Sequence, residues 1–166
     1  MSPISCERMK VGTRSDASRL LGSFLADDVH YRASSSPYGD GGHEALERAL
    51  DLFVARPELG FVWLAFCDCQ NDDPDARTAM GACVVCYGIS TSRGAVVAKL
   101  DDVTVRAGGH GRGIGTVMLR ELARELQRQG IRRIDTACHR DNTAAWRFYE
   151  RLGFKPLDEE RIALVL

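Results

Sequence analysis

Gly111, Gly113 and Gly115 occupy alternate positions in the stretch HGRGIG, which opens at His110 just ahead of a segment with strong helical periodicity. Bare backbone at a helix start suits an anion. Successive N–H groups at a helix N-terminus point at the ligand, glycine permits close approach, and here Arg112 adds a cation and Thr116 a hydroxyl. A P-loop is excluded, because no Gly-Lys-Ser/Thr follows the glycines. No register reads Gly-x-Gly-x-x-Gly, which argues against a dinucleotide fingerprint. A pyrophosphate lying on the backbone fits the pattern; the remaining alternative is a turn that only caps a helix.

Other residues invite chemistry. Asn142 and Tyr149 stand nearly two helical turns apart, so they fall on one stripe with Ala145 and Trp146 between them. The strand-like run KLDDVTV carries adjacent carboxylates, and alternation predicts Asp101 on one face and Asp102 on the other. Asp27, Asp28, His30 and Tyr31 cluster near the end of a predicted helix, where carboxylates suit a cationic amine, or form a solvated helix end. Asp72, Asp73 and Asp75 read as a polar turn. Cys67, Cys69, Cys83 and Cys86 have the donor set of a zinc site, but alternation turns Cys83 and Cys86 to opposite faces, so buried thiols are expected and no metal. Cys138 next to His139 hints at a covalent route, yet the same alternation turns the histidine away from it.

The elements that must position these groups follow from periodicity. A strand is predicted over Cys6 to Val11, then a helix with Asp16 as N-cap and Leu20, Leu21, Phe24 and Leu25 inward. A second helix spans HEALERALDLFVARPELG, with Pro57 just past its end. Three runs rich in β-branched and aromatic residues, FVWLAFC, TAMGACVVCYGI and GAVVAKLDDVTV, read as antiparallel strands. After them come a helix closed by Gly130, a strand in RRIDTAC, a helix in NTAAWRFYERL closed by Gly153, and a short strand pair around FKP and RIALVL. The order β-α-α-β-β-β-α-β-α-β-β predicts an α/β chain with a mixed sheet, in a single domain over residues 1–166.

Composition narrows the partners. In 166 residues, 22 Lys plus Arg balance 23 Asp plus Glu, so no overall field gathers nucleic acid or an anionic membrane. A small-molecule partner is expected. The N-terminus is charged throughout and no apolar run approaches a membrane span, so a cytoplasmic protein is expected, with its six cysteines reduced.

At this point two segments carry a likeness. VTVRAGGHGRGIGTVMLRELA followed by NTAAWRFYERLGFKP resembles the two core motifs of the GNAT superfamily of acetyl-CoA-dependent N-acetyltransferases. The family's first motif reads Arg/Gln-x-x-Gly-x-Gly/Ala, matched here from Gly113 onward with His110 where Arg or Gln is usual. Its second motif, Asn with small residues, Phe-Tyr, then Leu-Gly-Phe, is complete. The resemblance covers nearly the whole chain, most securely residues 99–157.

It implies a GNAT fold in which acetyl-CoA lies where two neighbouring strands splay. The pyrophosphate would rest on the backbone of Gly111, Arg112, Gly113, Ile114, Gly115 and Thr116, and the pantetheine arm would pair with Val103, Thr104 and Val105. Asn142 would hold the CoA arm, Ala145 would permit close contact, and Tyr149 would aim its hydroxyl at the thioester sulfur. His110 keeps its backbone amide but lacks a permanent cation, a departure expected to touch CoA affinity. In the diamine and polyamine branch a glutamate stands at the position of Asp101, which implies a base acting directly or through water. Family habit further implies a homodimer. The expected activity is acetylation of a primary amine by direct attack; the rivals are a protein or peptide acceptor and a CoA-binding sensor without turnover.

Overall fold

The computed structural model describes residues 4–27, 42–68 and 77–157. FVWLAF is apolar without alternation because its strand is covered on both sides: Phe61, Trp63 and Ala65 enter one core, Val62, Leu64 and Phe66 the other. That strand, β2 (Gly60–Asp68), lies between β1 (Ile4–Arg8) and β3 (Arg77–Ser90), and β4 (Ala95–Val105) extends the antiparallel order. The last strand, β5 (Ile134–Thr136), joins β4 in parallel, so the five-stranded sheet is mixed, in the order β1-β2-β3-β4-β5.

Helices α1 (Arg14–Asp27) and α2 (Gly42–Ala55) cover one face through Ala17, Leu20, Leu21, Leu46 and Leu50. The other face is covered by α3 (Ile114–Arg128), whose Ile114, Met118, Leu119, Leu122 and Leu126 recur at helical spacing, and by α4 (Thr143–Arg151). Each fully buried leucine contributes roughly 1.5–3 kcal/mol. Arg14 bridges α1 to α2 through Glu47 at 2.6 Å and Asp51 at 2.7 Å.

Three expectations from sequence change. The first strand is Ile4–Arg8 rather than Cys6 to Val11, because Val11 belongs to the turn that leads into α1. Asp16 is not an N-cap: a 3-10 turn over Val11–Thr13 leads into α1, with Lys10 N–H donating to Thr13 Oγ1 at 3.0 Å, and Asp16 instead pairs with Arg19 in the first turn. The FKP stretch forms no strand. Its backbone serves the end of α4, where Gly153 takes φ 92° and Phe154 N–H returns to the Tyr149 carbonyl at 3.1 Å, while Pro156 has no N–H to give a ladder. RIALVL lies outside the described residues.

Gly60 shows how tightly the sheet is packed. A Cβ there would stand 2.1 Å from the Val85 carbonyl oxygen, a backbone atom that cannot swing away. Gly60→Ala is expected to destabilise the fold by about 3 kcal/mol, read as a lower urea midpoint at unchanged slope.

Candidate active site

Parallel pairing between β4 and β5 lasts only from Ala98–Ile134 to Leu100–Thr136. Beyond it β4 runs on to Val105 without β5 beside it, and a cleft of about 2400 Å³ opens between the parted strands, α1 and α4. Asp27, Asp101, Val103, Thr104, Val105, His110, Asn142, Ala145 and Tyr149 all line it. Asp28 lies outside the described residues.

A bulge re-aims β4 at this point. Val84 faces Asp101 and Ala82 faces Thr104, so two residues, Asp102 and Val103, stand opposite Cys83 alone. Asp102 takes φ 50°, a left-handed conformation that aspartate tolerates better than most residues. Without the bulge, Asp102 and Thr104 would follow Leu100 into the core beneath α3; instead Val103 and Val105 pack there. Asp101 and Thr104, opposite Val84 and Ala82, therefore share the side of α1. Strict alternation, with only one carboxylate toward the cleft, does not hold: both Asp101 and Asp102 line it.

Lys99 was not legible as part of this site. Its ammonium lies 3.0 Å from Asp101 Oδ2, and both side chains are partly exposed. Two residues apart on a strand means one face, and that spacing is the signal that could have found it.

The glycines divide their work. Gly111 and Gly113 take φ 75° and 79°, and an added Cβ would meet nothing within 4 Å at either. Their need is conformational: Gly113 is the left-handed N-cap of α3, with Val117 N–H making a bond to its carbonyl at 3.0 Å. Helix geometry then directs the N–H groups of Ile114, Gly115 and Thr116 out of the N-terminus, the arrangement an anion requires. Gly115 answers to packing, since a Cβ would sit 3.3 Å from the Phe148 ring and 3.4 Å from Val105. The side chain of Ile114 is buried in the core, so only its backbone faces that end of the helix. Gly111 to Thr116 stand beyond the cleft wall proper, which reaches His110. These backbone features fit a diphosphate at the cleft's end.

Asn142 caps α4, accepting from Ala145 N–H at 3.0 Å through Oδ1, which leaves its amide NH2 as the side-chain group to meet a ligand. Tyr149 is only 8% exposed, between the rings of Phe148 and Phe154, each 5.3 Å away. Burial pushes its phenol up to about 12, against a smaller downward pull from a hydrogen bond with Thr136. Thr136 in turn donates to the Leu100 carbonyl at 3.2 Å. No sequence signal marks Thr136, because the register of β5 on β4 makes the contact.

Asp27, exposed at the end of α1, accepts from Ser23 Oγ at 3.2 Å. Cys138 lines the cleft, and burial raises its thiol above the ordinary value, so the thiolate that covalent attack needs is disfavoured. Cys83 and Cys86 belong to opposite cores, and Cys69 lies outside the described residues. No helix among the described residues is long and apolar enough to cross a membrane.

Comparison with known proteins adds three findings. Residues 31–154 match the model of a family described as Acetyltransferase (GNAT) family. No curated protein matches the sequence. Among solved structures, a possible acetyltransferase from Clostridium difficile 630 superposes with a TM-score of 0.76 at 11% identity, covering 98% of this chain and 97% of that one. An aminoglycoside N-acetyltransferase in complex with CoA gives 0.72 at 13% identity, covering 99% and 95%. Glucosamine-6-phosphate N-acetyltransferase from Arabidopsis thaliana gives 0.66 at 12%, covering 98% of each chain. At such identities the likeness speaks for the fold.

Proposed function

This chain belongs to the acetyltransferase (GNAT) family, an acetyl-CoA-dependent acyltransferase by that membership, and on this premise we propose that it acetylates a primary amine of a small molecule by direct attack. The observation that carries the reading is that Asp101 and Tyr149 line one cleft, entered where β4 and β5 part. The backbone of Gly111 to Thr116 holds the pyrophosphate, Val103 to Val105 pair with the pantetheine arm, and Asn142 and Ala145 border it.

Acetyl transfer needs two proton movements. An amine of pKa about 10.4 is protonated at neutral pH, and removing that proton costs roughly 4–5 kcal/mol. Asp101 accepts it, directly or through a water. The free amine then forms a bond to the thioester carbon, the carbon–sulfur bond breaks, and Tyr149 steadies the departing sulfur with its O–H. Cys138, held as a thiol, takes no acyl group.

The acceptor is a diamine, polyamine or basic amino acid, drawn toward Asp101 and Asp27. Lys99 already occupies the Asp101 carboxylate, so the acceptor ammonium enters by displacing another cation. The test is thiol release from acetyl-CoA over amines, amino acids, aminoglycosides and peptides at several pH values. Turnover of one small-amine class is expected. Turnover of peptides alone would move the acceptor to proteins, and CoA binding without any turnover would make the protein a sensor.

A further inference from the structure

Four charges share one face of β4 and β5. Leu100 and Ile134 pack into the core beneath α3, so alternation turns Lys99, Asp101, Arg133 and Asp135 to the opposite side of the sheet. Register sets Lys99 beside Asp135. Each cation pairs along its own strand, the Lys99 ammonium with Asp101 at 3.0 Å and Arg133 Nε with Asp135 at 3.0 Å. Arg133, Asp135 and Asp101 all line the cleft, with their side chains partly exposed.

Asp101 has a task in the transfer; the Arg133–Asp135 pair has none. Both of its bonds run from Nε, so the Nη groups, the forked end of the guanidinium, are held by no side chain among the described residues. An open guanidinium fork beside a carboxylate complements the head of an amino acid, whose carboxylate would meet Arg133 and whose α-ammonium would meet Asp135. Charge decides between the acceptor classes. The four side chains cancel, and a diamine or polyamine brings only positive charge onto a face that already holds Lys99 and Arg133. A basic amino acid brings a carboxylate for the guanidinium as well. Distance agrees with this: from Asp135 to Asp101 is two residues of rise and one strand spacing, roughly 8 Å, within reach of an extended lysine-like side chain.

Given the reading of Asp101 as proton acceptor at the reacting amine, we propose that the acceptor is a free basic amino acid, held by its head on Arg133 and Asp135 and acetylated on its side-chain amine. The side-chain ammonium gives its proton to Asp101, and the freed nitrogen forms its bond to the acetyl carbon. The carbon–sulfur bond breaks with its electron pair on sulfur, which leaves as the CoA thiol with the Tyr149 proton. The new amide nitrogen sheds a second proton to solvent; solvent also takes the proton from Asp101 and restores that of Tyr149. Arg133 and Asp135 touch only the head and exchange no proton.

The test is thiol release from acetyl-CoA with lysine, ornithine, their carboxamides and their decarboxylated diamines, the acetylated nitrogen being located by NMR. The amino acids are expected to exceed both other sets in kcat/KM by about tenfold, with the acetyl group on the side-chain nitrogen. Arg133→Gln is expected to raise KM for the amino acids about tenfold, with kcat and KM for acetyl-CoA within about twofold, and to move KM for the carboxamides by less than about twofold. The Arg133→Gln/Asp135→Asn double variant, which leaves no unpaired carboxylate to repel the ligand, should keep that loss. Both side chains are partly exposed and their replacements similar in length, so folding is retained. Recovery in the double variant would mean that Arg133 only neutralises Asp135, and overturns the head site. Equal kcat/KM for an amino acid and its carboxamide, a preference for the diamines, or acetyl on the α-nitrogen also overturns it, and each leaves small-amine acetylation standing. Turnover of no small amine, or an Asp101→Asn enzyme of unimpaired rate, overturns the reading of the site and this acceptor with it.

Discussion

Tyr149→Phe lowers kcat by about 10²–10³-fold while acetyl-CoA binding, measured by calorimetry, stays within about twofold. The change removes one oxygen from a side chain whose ring remains packed between Phe148 and Phe154, so the fold and the cleft wall survive. On the proposed mechanism, what is lost is the donor toward the leaving sulfur. With its phenol raised to about 12 by burial, Tyr149 faces a thiol of about 8.5, and full transfer runs uphill by roughly 5 kcal/mol at about 1.36 kcal/mol per unit. The hydrogen bond therefore strengthens only late, as the sulfur becomes thiolate-like. The same shift fixes the pH dependence. A raised value means the donor form persists at pH 10, where an ordinary tyrosine is half ionised, so the alkaline side of the rate profile up to that pH shows no loss from this group. For stability the sign is that of any raised acid: the contribution is whole below pH 10 and disappears as pH climbs toward 12.

Asp101→Asn is expected to lower kcat by about 10²-fold at neutral pH, read by thiol release from acetyl-CoA. An amide keeps the size of the side chain and can still meet Lys99, but it takes no proton from an ammonium. Lys99→Met is the informative partner variant. The Lys99 ammonium, 3.0 Å from Asp101 Oδ2, repels a cationic acceptor and competes for the same oxygens. Removing it should lower KM for diamines and polyamines by about fivefold, a modest effect because both side chains are partly exposed and solvent screens the pair. Unchanged KM for every cationic amine, measured by steady-state kinetics, would place the acceptor away from Asp101.

The elements were legible wherever one segment decides its own form. The α3 start follows from Gly113 and both helix ends from Gly130 and Gly153, because cap geometry and positive φ depend on a few neighbouring residues, whereas Asn142, read as part of the helix, is the N-cap of α4. The apolar, β-branched run of β2 read as a strand, and its cover on both sides is a matter of the packing. FKP misled for the opposite reason: its apolar, aromatic composition suits a strand, but Phe154 gives its N–H to the preceding helix.

By itself, then, the sequence determined the α/β order and the glycine-rich helix start, which rest on local backbone preference and periodicity, while the candidate pair Asp101 and Tyr149 came from the resemblance of its motifs to a known family. Only the tertiary structure decided how those groups meet. The bulge at Asp102 breaks the alternation by which carboxylates were assigned to faces, because it arises from pairing with β3 and not from any preference within KLDDVTV. Thr136 reaches the Leu100 carbonyl only because the β4–β5 register places it there. The proton affinity of Tyr149 belongs to its burial. Register and burial are properties of segments far apart in the chain, and a one-dimensional pattern carries neither.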